Sequence, residues 1–245
     1  MHVGRALHPE NIEAMGSDFI GDDTGDNISL LNNRYCELTA LWWMWKNADA
    51  EYKGLVHYRR HFRTLDTSMM RAGDRFDRIA TEADFRSLIA NGAAVIVPNR
   101  RNYYIETIQS HWEHTLPVEQ LEVTRRVLAD LSPSSMGFFE RVLSSRGAHM
   151  FNMMLMRSDL FDDYCSWLFP LLFELARRLN PDQYDSFNAR YLGRVSELML
   201  DVWLLSNEIR FREMVTVSPE PVNWTKKGSA FLAAKLFGKK YKKSF

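Results

Sequence analysis

The run Leu38-Thr39-Ala40-Leu41-Trp42-Trp43-Met44-Trp45 constrains the fold more than any other stretch. Leu38, Leu41, Trp42 and Trp45 recur at i, i+3, i+4 and i+7, which makes one apolar helical face. Cys36, Ala40, Trp43 and Met44 cover much of the opposite side, and a helix apolar nearly all round belongs inside a protein. Lys46 lies where a cation complements the helix dipole, and Asn47 is a candidate C-terminal cap. After a turn, the apolar run Gly54-Leu55-Val56 predicts a central strand of a parallel sheet. His57, Tyr58, Arg59 and Arg60 follow at its C-terminal end, the edge where open α/β sheets bind ligands.

The rest of the chain alternates in the same way. Residues 61–80 are charged and irregular, as in a surface excursion. A helix is expected over 81–90, with Phe85, Leu88 and Ile89 inward. Ala93 to Val97 form a second buried strand stopped by Pro98, and 99–104 a basic, aromatic loop on the same ligand edge. Residues 117–131 and 137–145 read as helices, the first with Leu121, Thr124, Leu128 and Leu131 in one stripe. A third strand is expected over 150–156, with Asn152 its one polar residue. Ser158 then caps a long helix that Pro170 should kink, and a last helix lies within 188–206. This order of strands and helices predicts one α/β domain over 1–225, with a mainly parallel sheet flanked by helices.

Composition excludes several classes. Lys+Arg and Asp+Glu number 31 each, so no charge surplus favours nucleic acid. Cys36 and Cys165 sit in apolar helical settings and are expected as free thiols, as in a reducing cytosol. Residues 1–26 lack the apolar core of a signal peptide. The charge-free run 164–173 is too short for a bilayer, which needs about 20 residues. A soluble or membrane-peripheral protein is expected. Without Gly-x-Ser-x-Gly, Walker or Gly-x-Gly-x-x-Gly motifs, hydrolase, NTPase and dehydrogenase functions lack support.

Five separated segments carry a resemblance: DDTGDNIS, NRYCELTALWWMWKN, GLVHYRRHF, HMFNMMLMRSDLFDDYCSWLF (149–169) and ARYLGRVSELMLDVWL (189–204). In this order they resemble the domain-of-unknown-function family 4422, bacterial glycosyltransferase-like proteins of capsule, exopolysaccharide and lipopolysaccharide loci. The resemblance implies a GT-A-like fold, a nucleotide-sugar co-substrate (a UDP-sugar first), and a bacterial cytoplasmic setting peripheral to the inner membrane. It implies no tightly bound cofactor. The departure is at the start. Such proteins open with a strand ending in a Thr-His-Lys-like segment, whereas this chain begins Met1-His2-Val3-Gly4, so the first strand is expected to be missing.

Several residues could carry chemistry. GT-A enzymes usually place an Asp-x-Asp metal motif after a central strand. Here the matching strand end carries Arg59 and Arg60, whose guanidiniums could grip a nucleotide diphosphate beside His57 and Tyr58. Alternatively the two arginines bridge helix carboxylates such as Glu37. Asp22, Asp23 and Asp26 with Asn27 make a structured loop near the donor, a less favoured divalent-ion site, or a plain Asx turn. Asn32 and Glu37 lie at the entrance of the tryptophan helix; Glu37 could bind a donor hydroxyl or pair with Arg59. By resemblance Asn152 stands beside the donor sugar; otherwise it satisfies neighbouring backbone.

The last motif carries an acidic residue in the family, which makes Glu197 the candidate catalytic base for an acceptor hydroxyl. Against this, Arg190, Arg194, Glu197 and Asp201 form the polar stripe of a solvated helix face. Tyr103, Tyr104 and Trp112 offer flat faces for an acceptor sugar, or simply pack; His111 and His114 lack the spacing of a metalloprotease helix. Finally, 226–245 interleave seven lysines with Phe231, Leu232, Leu236, Phe237, Tyr241 and Phe245. Such a basic amphipathic tail suits an anionic membrane, where a lipid-linked glycan acceptor would lie, or serves only as a solubilising tail. The rival function is a catalytically inactive scaffold that binds glycan or membrane.

Overall fold

A short strand whose residues are all buried, Val95–Pro98, anchors the sheet. The computed structural model describes residues 1–11, 19–69 and 74–219. In chain order it contains α1 (Asn32–Tyr35), α2 (Leu38–Asn47), β1 (Tyr52–Leu55), β2 (His61–Phe62), α3 (Glu82–Ala90), β3 (Val95–Pro98), β4 (Arg101–Asn102) and α4 (Ile108–Thr115). There follow α5 (Glu119–Leu131), α6 (Met136–Ser144), β5 (Gly147–Ala148), β6 (Met154–Arg157), α7 (Ser158–Arg178), α8 (Tyr191–Ser206), β7 (Arg212–Met214) and β8 (Thr216–Val217). The tail 226–245, and with it the domain limit at 225, lies outside the described residues.

The main sheet has the order β1-β6-β3-β7. Only β3 and β7 pair in parallel, while β6 runs antiparallel to both β1 and β3. The expectation of a mainly parallel sheet is therefore corrected to a mixed one. The run at Gly54 is an edge strand and not a central one. Short apolar runs reveal burial but not neighbour order, and β6 separates two strands that would otherwise pair in parallel. Gly54 is needed at this edge, because a Cβ there would stand 2.5 Å from the Met154 carbonyl oxygen.

Alternation along β3 divides the interior. Val95 and Val97 join a large core with α2 and α4 to α8, whereas Ile96 joins Phe62, Ala93, Met153 and Met214 against Phe85 and Leu88 of α3. The helix α3 begins with a capping box between Thr81 and Asp84. Helix α2 is buried at Leu38 to Leu41, but its tryptophans are only half-buried. Trp42 and Trp45 pack on Phe169 of α7, with ring centroids 4.9 and 5.7 Å apart. Ala48, and not Asn47, is the C-cap of α2; Asn47 ends the helix and its amide donates to the Trp43 carbonyl at 3.0 Å.

Two further local expectations change. Arg157, and not Ser158, is the N-cap of α7; the Ser158 hydroxyl donates to the Ala50 carbonyl instead. Helix α4, in a segment to which the sequence assigns no element, is begun by the Thr107 hydroxyl accepting from the Ser110 N–H. The third strand starts only at Met154, because Phe151 and Asn152 take left-handed backbone, at φ 78° and 51°. Cys36 and Cys165 are free and buried. Among the described residues, no helix is long and apolar enough to cross a membrane.

Candidate active site

The chain leaves β1 into a tight turn, closed by the Arg60 N–H donating to the His57 carbonyl at 3.0 Å. The Arg59 N–H donates to His57 Nδ1 at 3.2 Å, which uses that nitrogen as an acceptor. Burial, then the charges of Arg60, Arg59 and Arg190, push His57 down to about 4, so its ring is neutral at physiological pH. Tyr58 points outward, 74% exposed, with the Arg59 guanidinium 4.8 Å from its ring. Arg60 lies 4.1 Å from the ring of Phe151, and Arg101 from β4 lies 5.9 Å from the same ring. Phe151 thus forms a floor on which guanidiniums from two loops converge. Arg190 and Arg194 add charge from the start of α8, and the Arg190 Nε donates to Cys36 Sγ at 3.0 Å.

Two carboxylates meet this cluster. Glu37, between α1 and α2, accepts from the Asn152 amide at 2.8 Å. The same amide donates to the Gly193 carbonyl at 3.0 Å, tying the 151–152 turn to the first turn of α8. Glu197 lies one turn further along α8, within the electrostatic reach of the Phe151 backbone N–H. Burial, and then the negative charge of Glu37, push the Glu197 carboxyl up to about 7; Phe151 N–H, Arg101 and Arg194 oppose that rise. Glu197 is therefore not on a solvated stripe. Arg194 and Glu197 are half-buried, and Asp201 is buried. Arg59 Nε, Arg194 Nη1 and Asn152 Oδ1 are sequestered without hydrogen-bond partners, a concentration of unmet polar atoms that suits a polar ligand.

The Asp22 loop behaves differently. Asp22 is fully buried and accepts from the N–H of Gly4 (2.7 Å) and Arg5 (3.1 Å), and from the hydroxyls of Ser29 and Thr39 (2.6 Å each). Asp23 pairs with Arg5, while Asp26 accepts from Trp42 Nε1 at 3.0 Å. Asn27 accepts from the Ser29 N–H in an Asx turn, and Asn32 donates to the Cys36 carbonyl and to Thr39. Asp22, Asp26, Asn27 and Asn32 thus hold the loop against α1 and α2. Their side-chain hydrogen bonds stay within residues 1–47 and include none to Arg59, Arg60, Arg101, Arg190 or Arg194. Among the described residues, no three His, Cys, Asp or Glu side chains are grouped to hold a metal ion.

Of the aromatic candidates, Trp112 is a correction. It is 5% exposed in the large core and donates to the Pro117 carbonyl at 3.2 Å, because α4 turns it inward. Tyr103 stacks on His111 with ring centroids 4.2 Å apart, and the Arg101 guanidinium lies 5.3 Å from the Tyr103 ring. Tyr104 is 78% exposed, while His111 and His114 both bond Glu106. Sequence reasoning missed Arg101 and Phe151 and took Arg190 and Arg194 for a solvated face. The basic loop 99–104 held a signal for Arg101; Phe151 had none.

The mixed sheet with helices on both faces, and polar groups gathered at the end of β1, define the class: a GT-A-like α/β fold. The chain belongs to the family described as "Domain of unknown function (DUF4422)", which matches residues 1–208. It is similar to the solved apo structure of WbbM, described as a bifunctional glycosyltransferase, with TM-score 0.73 and 26% identity. That similarity covers 88% of this chain but 41% of the other, so the chain spans less than half the length of that structure. No functionally curated protein matches it.

Proposed function

We propose that the protein is a glycosyltransferase that moves a sugar from a nucleotide-sugar donor, a UDP-sugar first, to a growing surface polysaccharide on a lipid carrier. The observation that carries this reading is the convergence of Arg60, Arg101 and Arg194 on a carboxyl, Glu197, held near 7, with Arg59 beside Arg60 and Arg190 beside Arg194. The arginines bind the donor diphosphate and stabilise the charge that grows on it as it departs, a task that fixed cations perform without a metal. In an inverting displacement the acceptor hydroxyl oxygen attacks the anomeric carbon while Glu197 takes its proton. The bond from that carbon to the diphosphate breaks, and the electron pair leaves with the phosphate. A base whose pKa lies near neutrality suits this transfer. Glu37, oriented by Asn152, accepts a donor hydroxyl, Tyr58 lies with Arg59 on the donor side, and Tyr103 and Tyr104 offer faces to the acceptor.

The similarity to WbbM supports a transferase, and the absence of an Asp-x-Asp motif after β1 supports arginines in the metal's place. The tail 226–245 brings the enzyme to the cytoplasmic face of an anionic membrane. The test is a nucleotide-sugar turnover screen with lipid-linked acceptor, with and without EDTA. Sugar transfer that survives chelation is expected. Turnover abolished by EDTA and restored by Mn²⁺ contradicts the metal-free reading, and no turnover by folded protein with any donor favours the inactive scaffold.

A further inference from the structure

We propose that His149, clasped between Asp201 and Glu213, is a positioning residue that holds Glu197 in its working place. The proposal rests on the reading of Glu197 as the proton acceptor. His149 is 1% exposed, and each of its ring nitrogens meets a carboxylate: Nδ1 meets Asp201, and Nε2 meets Glu213 at 2.9 Å. Its backbone N–H also donates to Asp201, at 3.0 Å. A neutral imidazole has one N–H to give, so two carboxylate partners are both satisfied only by the imidazolium. Burial works against that charge, but the bonds and charges of Asp201 and Glu213 outweigh it and raise the pKa above its ordinary value. Asp201 from α8 and Glu213 from β7 are the charged groups facing the ring; Phe211, at a centroid distance of 5.0 Å, is uncharged.

The clasp stands where it can set the site. Asp201 follows Glu197 by one turn of α8, and His149 precedes the Phe151–Asn152 turn by two residues. That turn directs its Phe151 N–H toward Glu197, whose charged form it favours, and gives its Asn152 amide to Glu37 and Gly193. Two consecutive left-handed residues other than glycine persist only when their surroundings fix them. Asn152 fixes the turn on one side, and the imidazolium pins its other end to α8 and β7. Loss of the His149 proton releases Nε2 or Nδ1 from a carboxylate, loosens the turn and withdraws the Phe151 N–H from Glu197.

Turnover therefore rises with pH as Glu197 ionises near 7, then falls at higher pH as His149 loses its proton. Glu213→Gln, a change at a side chain 43% exposed, keeps the Asp201 contact and leaves the fold intact. It should move the alkaline limb to lower pH and lower kcat several-fold with little change in donor KM. His149→Gln should lower kcat tenfold or more and erase that limb. NMR titration of the full chain reads the same device without turnover: His149 is an imidazolium at pH 7, and in Glu213→Gln the Glu197 carboxyl titrates higher than in wild type. A neutral His149 at pH 7, or a Glu197 titration and alkaline limb unchanged in Glu213→Gln, overturns the proposal alone. Full turnover in Glu197→Gln overturns it together with the reading of Glu197 as base.

Discussion

Two polar regions flank the tryptophan helix, and they are built on opposite rules. Around Asp22 every bond is made: one buried carboxylate takes four donors, and the loop beyond it is tied to Trp42 and Asn47. Around Glu197 bonds are left unmade: two guanidinium nitrogens and an amide oxygen lack partners, and a carboxyl is kept from ionising easily. The first region spends its polar groups on the fold, and the second keeps them for something else. Completeness of hydrogen bonding separates the two where residue type cannot, since both are rich in acids and amides.

The largest effect should come from Glu197→Gln, which removes the base and lowers turnover by about 10²–10⁴. The same change should stabilise the protein at alkaline pH. With the folded pKa raised from 4.5 to about 7, the group binds its proton more tightly in the folded state. Its contribution to stability is full below the unfolded pKa and is lost as pH rises through about 7, a swing of roughly 3 kcal/mol. Thermal melts of both proteins at pH 5 and pH 8 read it: a gain for the variant confined to pH 8 fits, and equal melting at both pH values removes the strained carboxyl. Asp22→Ala should do the reverse. Orphaning several buried donors costs about 3–5 kcal/mol in denaturant unfolding, while kcat of the folded fraction is unchanged. A fall in kcat with no loss of stability would place Asp22 in the chemistry. Smaller still, Tyr104→Ala should raise acceptor KM a few-fold and leave melting within about 0.5 kcal/mol of wild type.

How much of this was legible in the sequence follows from what periodicity can carry. The helices over 38–47, 82–90 and 191–206 and the buried strand at Val95 were readable, because each rests on local apolar spacing. The order of the sheet was not, since no local signal says that β6 inserts between β1 and β3. Arg59 and Arg60 were singled out from their place after a strand. Glu197 was singled out as the candidate base by resemblance, but Arg190, Arg194 and Asp201 read only as a solvated stripe with it, because a stripe facing a polar site and one facing water share the same spacing. Trp112 shows the converse: an aromatic flanking a basic loop, offered for a sugar, packs in the core because α4 turns it inward. His149 carried no signal, since its partners lie 52 and 64 residues away.

The central claim is that the arginines after β1 serve a ligand and the Asp22 network serves the fold. Calorimetric titration of UDP in EDTA tests it most directly, with wild type, Arg59→Ala and Arg60→Ala each checked by thermal melting. Loss of a charged hydrogen bond to phosphate should weaken UDP binding by about 1.5–3 kcal/mol in at least one variant, with melting temperature preserved. Unchanged UDP affinity in both, accompanied by a lower melting temperature, would assign the arginines to structure and contradict the account.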